Sequence, residues 1–253
     1  NNVNNKNGNA LTWLGLFAHP DDETSASAGT MVKWVRDGNH AYVVTATGGD
    51  LGTLGTGGLV IERSDLAQVR ESELEQNLSM YGCNPPFLLR YRDQELANES
   101  LDVLSMKVLD IMYLVRPDMI VTFGPSGISN HSDHIAIHKA STKAYLYYKN
   151  NFSGTEYPLL IYPSIPDNVA KQYSLELSPD EKRMDMIVDI ESSVDMKIQG
   201  LENYKSQKDA QEFAKRLHQT RKEPHGNKES FSVSPDSPQN WESYVITEYL
   251  RNL

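Results

Sequence analysis

The chain divides into short apolar runs separated by longer segments that mix apolar and polar positions. Strands are predicted at Leu11–Ala18, Ala41–Thr47, Pro86–Tyr91, Met119–Phe123 and Leu159–Ser164, with a less apolar run at Met186–Ile190. Between them, Glu23–Asp37, Arg63–Tyr81, Ser100–Arg116 and Ser132–Tyr148 are long enough for helices. Gly38 follows the first, and Pro117 closes the third because helices tend to end before proline. Strand and helix alternating in this way imply right-handed βαβ units and a mostly parallel sheet covered on both faces.

The fold class expected is therefore α/β, a single Rossmann-like three-layer domain over residues 11–253, with no internal repeat and no dividing linker. The first ten residues, NNVNNKNGNA, are polar and Asn-rich and lack the apolar stretch of a signal peptide, so residues 1–10 are expected to be a disordered arm. Glu191–Ala214 reads as one helix. Residues 215–240 are rich in charge, serine and proline (Glu223-Pro224, Ser234-Pro235, Ser237-Pro238) and read as a surface excursion or mobile loop. Trp241–Leu250 returns as a final helix or strand.

Composition narrows the function. The chain has 253 residues and a formal net charge of −10, which argues against a nucleic-acid partner. No apolar run reaches the roughly 18 residues that mark a membrane helix. One cysteine, Cys83, excludes an intrachain disulfide or a Cys-rich zinc site and reads as a small packing residue near a turn. With no signal peptide in view, the expected location is cytoplasmic, and a homo-oligomer is compatible with the composition.

In an open parallel sheet, ligands bind beyond the carboxyl ends of the strands. Four predicted strands end here in polar, charged or Gly-rich text: AHPDDE, TGGDLGTLGTGG, RDQE and GPSGISNHSDH. His19, Asp22, His131 and His134 thus gather on one edge. Two imidazoles and a carboxylate match the ligand sets of catalytic zinc and of non-haem iron(II), with positions left open for water and substrate. His131 and His134 lie three apart at a helix start, so one can hold metal while the other faces substrate. Asp21 is then free to take a proton. Taken singly, HPDD could be a strand-end turn and HSDH a helix cap; two such clusters after two parallel strands favour a site. His138 is either a third imidazole ligand or, the better fit, a buried hydrogen-bonded histidine. His40, His218 and His225 read as surface. The glycine-rich segment carries no nucleotide-binding pattern and reads as a flexible loop able to close on substrate. No G-x-S-x-G elbow is present. Trp34, Tyr91, Tyr145 and Trp241 could stack on a sugar, although core or surface packing accounts for most of them.

On these residues the sequence resembles the PIG-L/LmbE-like family of metal-dependent N-acetylglucosaminyl de-N-acetylases. Ala18-His19-Pro20-Asp21-Asp22-Glu23 is the family's opening motif intact, and His131-Ser132-Asp133-His134 resembles its second. Arg70-Glu71-Ser72-Glu73-Leu74, Arg92-Asp93-Gln94-Glu95-Leu96 and Lys197…Tyr204-Lys205-Ser206-Gln207 resemble later segments, so the likeness spans about Leu11 to Gln207. The resemblance implies metal ligation by His19, Asp22 and His134, usually of Zn2+ with Fe2+ as the other option. It implies Asp21 as general base and His131 as the group that polarises the amide carbonyl or protonates the amine. It places Arg70, Asp93 and Asp133 at the substrate, the two aspartates alternatively orienting a catalytic imidazole. Two positions depart from the pattern: Ser132 replaces a proline, and Tyr204 stands where histidine is common.

The implied activity is zinc-dependent hydrolysis of the N-acetyl amide of an N-acetylglucosamine-type sugar or conjugate, a small-molecule substrate. A metal-dependent amidase acting on a larger amide is the alternative. A metal-stabilised carbohydrate-binding module without turnover would be favoured by loss of Asp21 or His131, and both are present. An iron oxygenase shares the ligand logic but not the motif order.

Overall fold

The computed structural model describes residues 8–253. In chain order its elements are β1 (Thr12–Phe17), α1 (Asp22–Arg36), β2 (His40–Thr47), α2 (Leu66–Tyr81), β3 (Phe87–Tyr91), α3 (Leu101–Val115), β4 (Met119–Thr122), the single irregular turn α4 (Gly127–Asn130) and α5 (Ser132–Asn150). They continue as β5 (Leu159–Pro163), α6 (Asp167–Gln172), β6 (Met186–Asp189), α7 (Val194–Asn203), α8 (Lys208–Thr220), β7 (Lys228–Val233) and α9 (Val245–Asn252). Each predicted strand is present, β2 longer by one residue and the others shorter by one or two. Most of the expected arm, residues 1–7, lies outside the described residues.

The seven strands form one sheet in the order β3-β2-β1-β4-β5-β7-β6. β7 runs antiparallel to both of its neighbours, and the other six strands are parallel to one another. This is a single α/β domain. β1 sits centrally between β2 and β4, and its residues Trp13, Leu14, Leu16 and Phe17 are all buried, as a strand covered on both faces requires. Trp13 packs edge-on against Trp34 of α1, with ring centroids 5.8 Å apart, and against Phe231 of β7. The helices α1, α2, α7 and α8 contact one another, and α3 packs along α5. Local chemistry sets the ends. Ser100 accepts the Val103 N–H to start α3, and Arg116 turns into the left-handed region ahead of Pro117 to stop it. Gly82 closes α2 at φ 79°.

Two expectations for the C-terminal third are corrected. Glu191–Ala214 is not one helix. The chain breaks at Tyr204–Gln207 between α7 and α8, because Ser206 turns aside to give its N–H and hydroxyl to Glu73 of α2. Nor are residues 215–240 a surface excursion. Residues 215–220 finish α8, and β7 is an interior strand with Glu229, Phe231 and Ser232 buried. Its polar groups are paired inside: Glu229 meets Lys197 Nζ at 2.6 Å and takes N–H groups from Gly29 and Thr30. The final segment is a short 3-10 turn at Trp241–Ser243 followed by α9. Trp34 and Tyr145 are core residues, Trp241 is partly buried, and Cys83 is a half-buried packing residue. Among the described residues no helix is long and apolar enough to cross a membrane.

The Lys197–Glu229 pair is almost fully buried, so removing one partner strands a charge in the interior. Lys197→Met is expected to destabilise the protein by about 3–5 kcal/mol, read as a lowered urea midpoint with an unchanged slope. A midpoint equal to wild type would show that the pair is dispensable.

Candidate metal centre and active site

The adjoining strands β3, β2, β1 and β4 present their carboxyl ends along one edge. Strand order reverses between β1 and β4, since β2 and β3 lie on one side of this pair and β5 on the other. The loops leaving β1 and β4 diverge there and open a crevice. His19, Asp21 and Asp22 follow β1, Asp93 follows β3, and His131, Asp133 and His134 follow β4.

Hydrogen bonds settle which nitrogen of each imidazole is free. His19 Nε2 lies 2.8 Å from Asp133 Oδ2 and 3.1 Å from Asp93 Oδ1. Its proton belongs on Nε2, which leaves the Nδ1 lone pair bare. His134 gives its Nδ1–H to the Gly127 carbonyl at 3.0 Å, which leaves Nε2 bare. The two bare nitrogens face one another at 3.3 Å, and the Asp22 carboxylate makes the third corner, with Oδ2 3.6 Å from His19 Nδ1 and Oδ1 3.5 Å from His134 Nε2. Groups converging this closely are suited to share a cation, whether a proton or a metal ion.

The triangle fits a metal. Ligands held at tetrahedral angles about 2.1 Å from zinc stand about 3.4 Å apart. The electrostatics agree. Burial disfavours charge on His19, yet its hydrogen bonds to Asp133 and Asp93 and the field of Asp22 push the imidazole up to about 10. His134 is raised against its own burial by Asp22. Asp22 resists its burial too, held well below the usual carboxylate range by His134, His19 and the His19 backbone N–H. Surroundings that pull this hard on a proton pull on a metal cation for the same reason. His19, Asp22 and His134 are thus brought together as the sequence predicts.

Asp21 stands beside the triangle in a costly backbone conformation, φ 109°, of the kind worth roughly 1–3 kcal/mol of strain. It is held there from three sides. Its N–H reaches Glu23 Oε2 at 3.0 Å, its carbonyl takes the first amides of α1, and its carboxylate pairs with Arg70 at 3.0 Å. Burial pushes Asp21 up to about 6, although Arg70 pulls it down. Arg70 is itself buried, with its remaining contacts on the Gly49 and Pro20 carbonyls. Its two terminal nitrogens bond Asp21 and the backbone, while its Nε is buried without a hydrogen-bond partner. For Asp133 the geometry favours the second of its two expected roles, orienting an imidazole. It is fully buried and accepts N–H groups from Gln94 and Leu96 as well as bonding His19. Asp93, also buried, takes the Leu51 N–H and holds His19; despite burial, the histidine lowers it to about 2.

His131 is the N-cap of α5, its Nδ1 accepting the Asp133 N–H at 3.1 Å. A nitrogen that accepts carries no proton, so Nε2–H is the end left to donate. Burial and the nearby His19 and His134 lower its pKa, consistent with a neutral ring. His138 bonds the Phe123 carbonyl at 2.8 Å and is no ligand. His40, His218 and His225 are exposed.

The glycine-rich segment is fastened where a flexible loop was expected. Thr53 bonds Gln207 and Ser206, Gly55 and Thr56 bond the Ser206 and Lys205 carbonyls, and Arg63 grips the Asp50 and Gly52 carbonyls. Sequence reasoning also passed over Glu23. It is fully buried, pushed up to about 7 by burial, and takes the Tyr204 hydroxyl at 2.5 Å. Tyr204, where histidine is common, thus steadies the residue that holds the Asp21 backbone. The signal was the AHPDDE text itself, whose last residue had no assigned role.

The profile of the PIG-L family, described as GlcNAc-PI de-N-acetylase, matches residues 14–145. The chain is 34% identical to the 1D-myo-inositol 2-acetamido-2-deoxy-alpha-D-glucopyranoside deacetylase of Rhodococcus jostii, the match covering 52% of this chain and 52% of the relative. It is 30% identical to the mycothiol S-conjugate amidase of Streptomyces coelicolor, over 60% of each chain. The chain therefore spans about half the length of the first curated relatives it matches. In fold it is similar to the N,N'-diacetylchitobiose deacetylase of Pyrococcus horikoshii, with a TM-score of 0.67, 21% identity and coverage of 91% of this chain and 88% of that one. It is as similar to the 4-carboxy-2-hydroxymuconate hydratase GalB of Pseudomonas putida, with a TM-score of 0.68, 15% identity and coverage of 91% and 99%.

His134→Ala is expected to lose bound zinc by elemental analysis, and full occupancy would exclude it as a ligand. Asp133→Asn keeps the shape but weakens the hold on His19. Its zinc affinity should fall by about 10-fold to 100-fold in a chelator competition.

Proposed function

Since this chain belongs to the PIG-L family of de-N-acetylases, we propose that it hydrolyses the N-acetyl amide of an N-acetylglucosamine-type sugar or conjugate, with zinc as its metal. The observation that carries this reading is the triangle of His19 Nδ1, Asp22 and His134 Nε2, closed by bare acceptors and flanked by a held carboxylate. A zinc ion bound there supplies Lewis acidity, lowering the pKa of a water and polarising the amide carbonyl. The strand order β3-β2-β1-β4-β5 also supports a Rossmann-like description of the sheet.

The chain's own residues do the rest. Asp21 takes a proton from the attacking water as the carbon–oxygen bond forms. Arg70 keeps that carboxylate in place through the 3.0 Å ion pair. His131 gives its Nε2–H to the carbonyl oxygen as negative charge builds there. Its Nδ1 is engaged by the cap of α5, so it stays neutral and acts as a hydrogen-bond donor. The proton the amine needs when the carbon–nitrogen bond breaks then returns from Asp21, and the carboxylate is regenerated. Asp93 and Asp133 hold His19 throughout.

The amidase relative favours a second reading, a larger amide cleaved by the same groups. Acetate release separates the two when measured with and without chelator on N-acetylglucosamine, its β-linked dimer, N-acetylglucosaminyl-inositol and a nucleotide-linked form, beside matched longer-acyl amides. Chelator-sensitive acetate from any acetyl substrate is the expected result; turnover confined to longer acyl groups would select the amidase, and silence throughout would end both.

Asp21→Ala should keep its zinc and lose roughly 100-fold to 10,000-fold in kcat. Arg70→Met should lower kcat while leaving KM near wild type, since the arginine touches the base. A raised KM with normal kcat would return Arg70 to the substrate.

A further inference from the structure

Glu181 lies outside the residues matched by the family profile and outside every motif of the sequence. It ends the short 3-10 turn Pro179–Glu181 between β5 and β6. Its side chain is fully buried, and among the described residues its hydrogen-bond donors are neutral groups. The carboxylate takes a sheaf of donors from two segments. Ser178 gives its N–H at 3.3 Å and its hydroxyl at 2.5 Å. Across the gap, Ser126 gives its N–H at 3.0 Å and its hydroxyl, and Ile128 gives its N–H at 2.9 Å. Gly124 leaves room for this approach, since a Cβ there would lie 2.4 Å from Glu181 Cγ.

The gripped segment runs from β4 to α5 and is strained where it is gripped. Ile128 is a β-branched residue at φ 65°, and Gly127 and Asn130 also have positive φ. A branched side chain does not take that conformation unaided. The strain places the Gly127 carbonyl on His134 Nδ1, which keeps that nitrogen protonated and its partner Nε2 bare. We propose that Glu181 is a positioning residue of the metal centre, acting through Ser126 and Ile128 to aim the Gly127 carbonyl that orients His134. The chain of contacts is short: Glu181 to Ile128 N–H, across one peptide to the Gly127 carbonyl, then to the ligand imidazole.

This inference rests on reading His19, Asp22 and His134 as a metal site, and its test reads the metal directly. Zinc affinity is measured by competition with a chromophoric chelator for wild type, Glu181→Gln, Ser178→Ala and Asn39→Ala. The last removes buried hydrogen bonds to Leu11 and Tyr249, away from the site. Glu181→Gln swaps one acceptor oxygen for an N–H2 group that opposes the donors around it. Its affinity should fall by about 10-fold to 100-fold, the range for groups that orient a ligand. Ser178→Ala should show a smaller loss in the same direction, and Asn39→Ala none, although both lower the thermal midpoint. Wild-type affinity in folded Glu181→Gln overturns the proposal, as does an equal loss in Asn39→Ala, which would make the effect one of general stability. If Glu181→Gln does not fold, Ser178→Ala decides: unchanged affinity there overturns the proposal. Failure of the wild-type protein to bind zinc would instead remove the metal reading itself.

Discussion

The convergence of two imidazoles and a carboxylate on one point is the constraint around which this fold is arranged. Two bare imidazole nitrogens and a carboxylate stand within 3.6 Å of one another at the fork between β1 and β4. In a flexible chain they would move apart into water. Here each is tied from behind, His19 by Asp93 and Asp133, His134 by the Gly127 carbonyl, and Asp22 by the backbone amides of Ala18 and His19. The back ties also fix one N–H of each imidazole outward, so that the other nitrogen faces the centre. A preformed site of this kind loses little freedom when a cation enters.

Backbone strain gathers around the same point. Asp21, Gln94, Ile128 and Asn130 all take positive φ without being glycine, and each adjoins a residue of the site. Such conformations persist only where surrounding contacts over-determine them. Those contacts are visible: Glu23 and Arg70 at Asp21, Asp133 at Gln94, and Glu181 at Ile128. Around the site, Glu23, Asp133 and Glu181 each use a buried carboxylate to hold backbone N–H groups.

This explains what could be read from sequence and what could not. The parallel strands were legible because a strand buried on both faces must be apolar throughout, as TWLGLF and MIVT are. The ligands were legible because charged groups at the ends of such strands need a reason to be there. β7 was not, since KESFSV looks like surface until Lys197, Thr30 and Gly29 are seen to satisfy Glu229. Arg70 and Asp133 are ambiguous in sequence for a related reason. An arginine or aspartate near a site has the same letter whether its partners come from the protein or from a ligand, and only burial separates the two.

The place of β7 bears on how the chain reaches this state. β6 pairs with no other strand, and the outer edge of β5 is covered by β7. Until residues 228–233 have left the ribosome, β5 exposes an open ladder edge and β6 has no sheet to join. Lys197 is equally without its counter-charge. Unpaired edges invite pairing with other chains. The nascent protein therefore carries a window, from β5 to β7, in which the half that bears the candidate site can be formed while its edge is still open to aggregation.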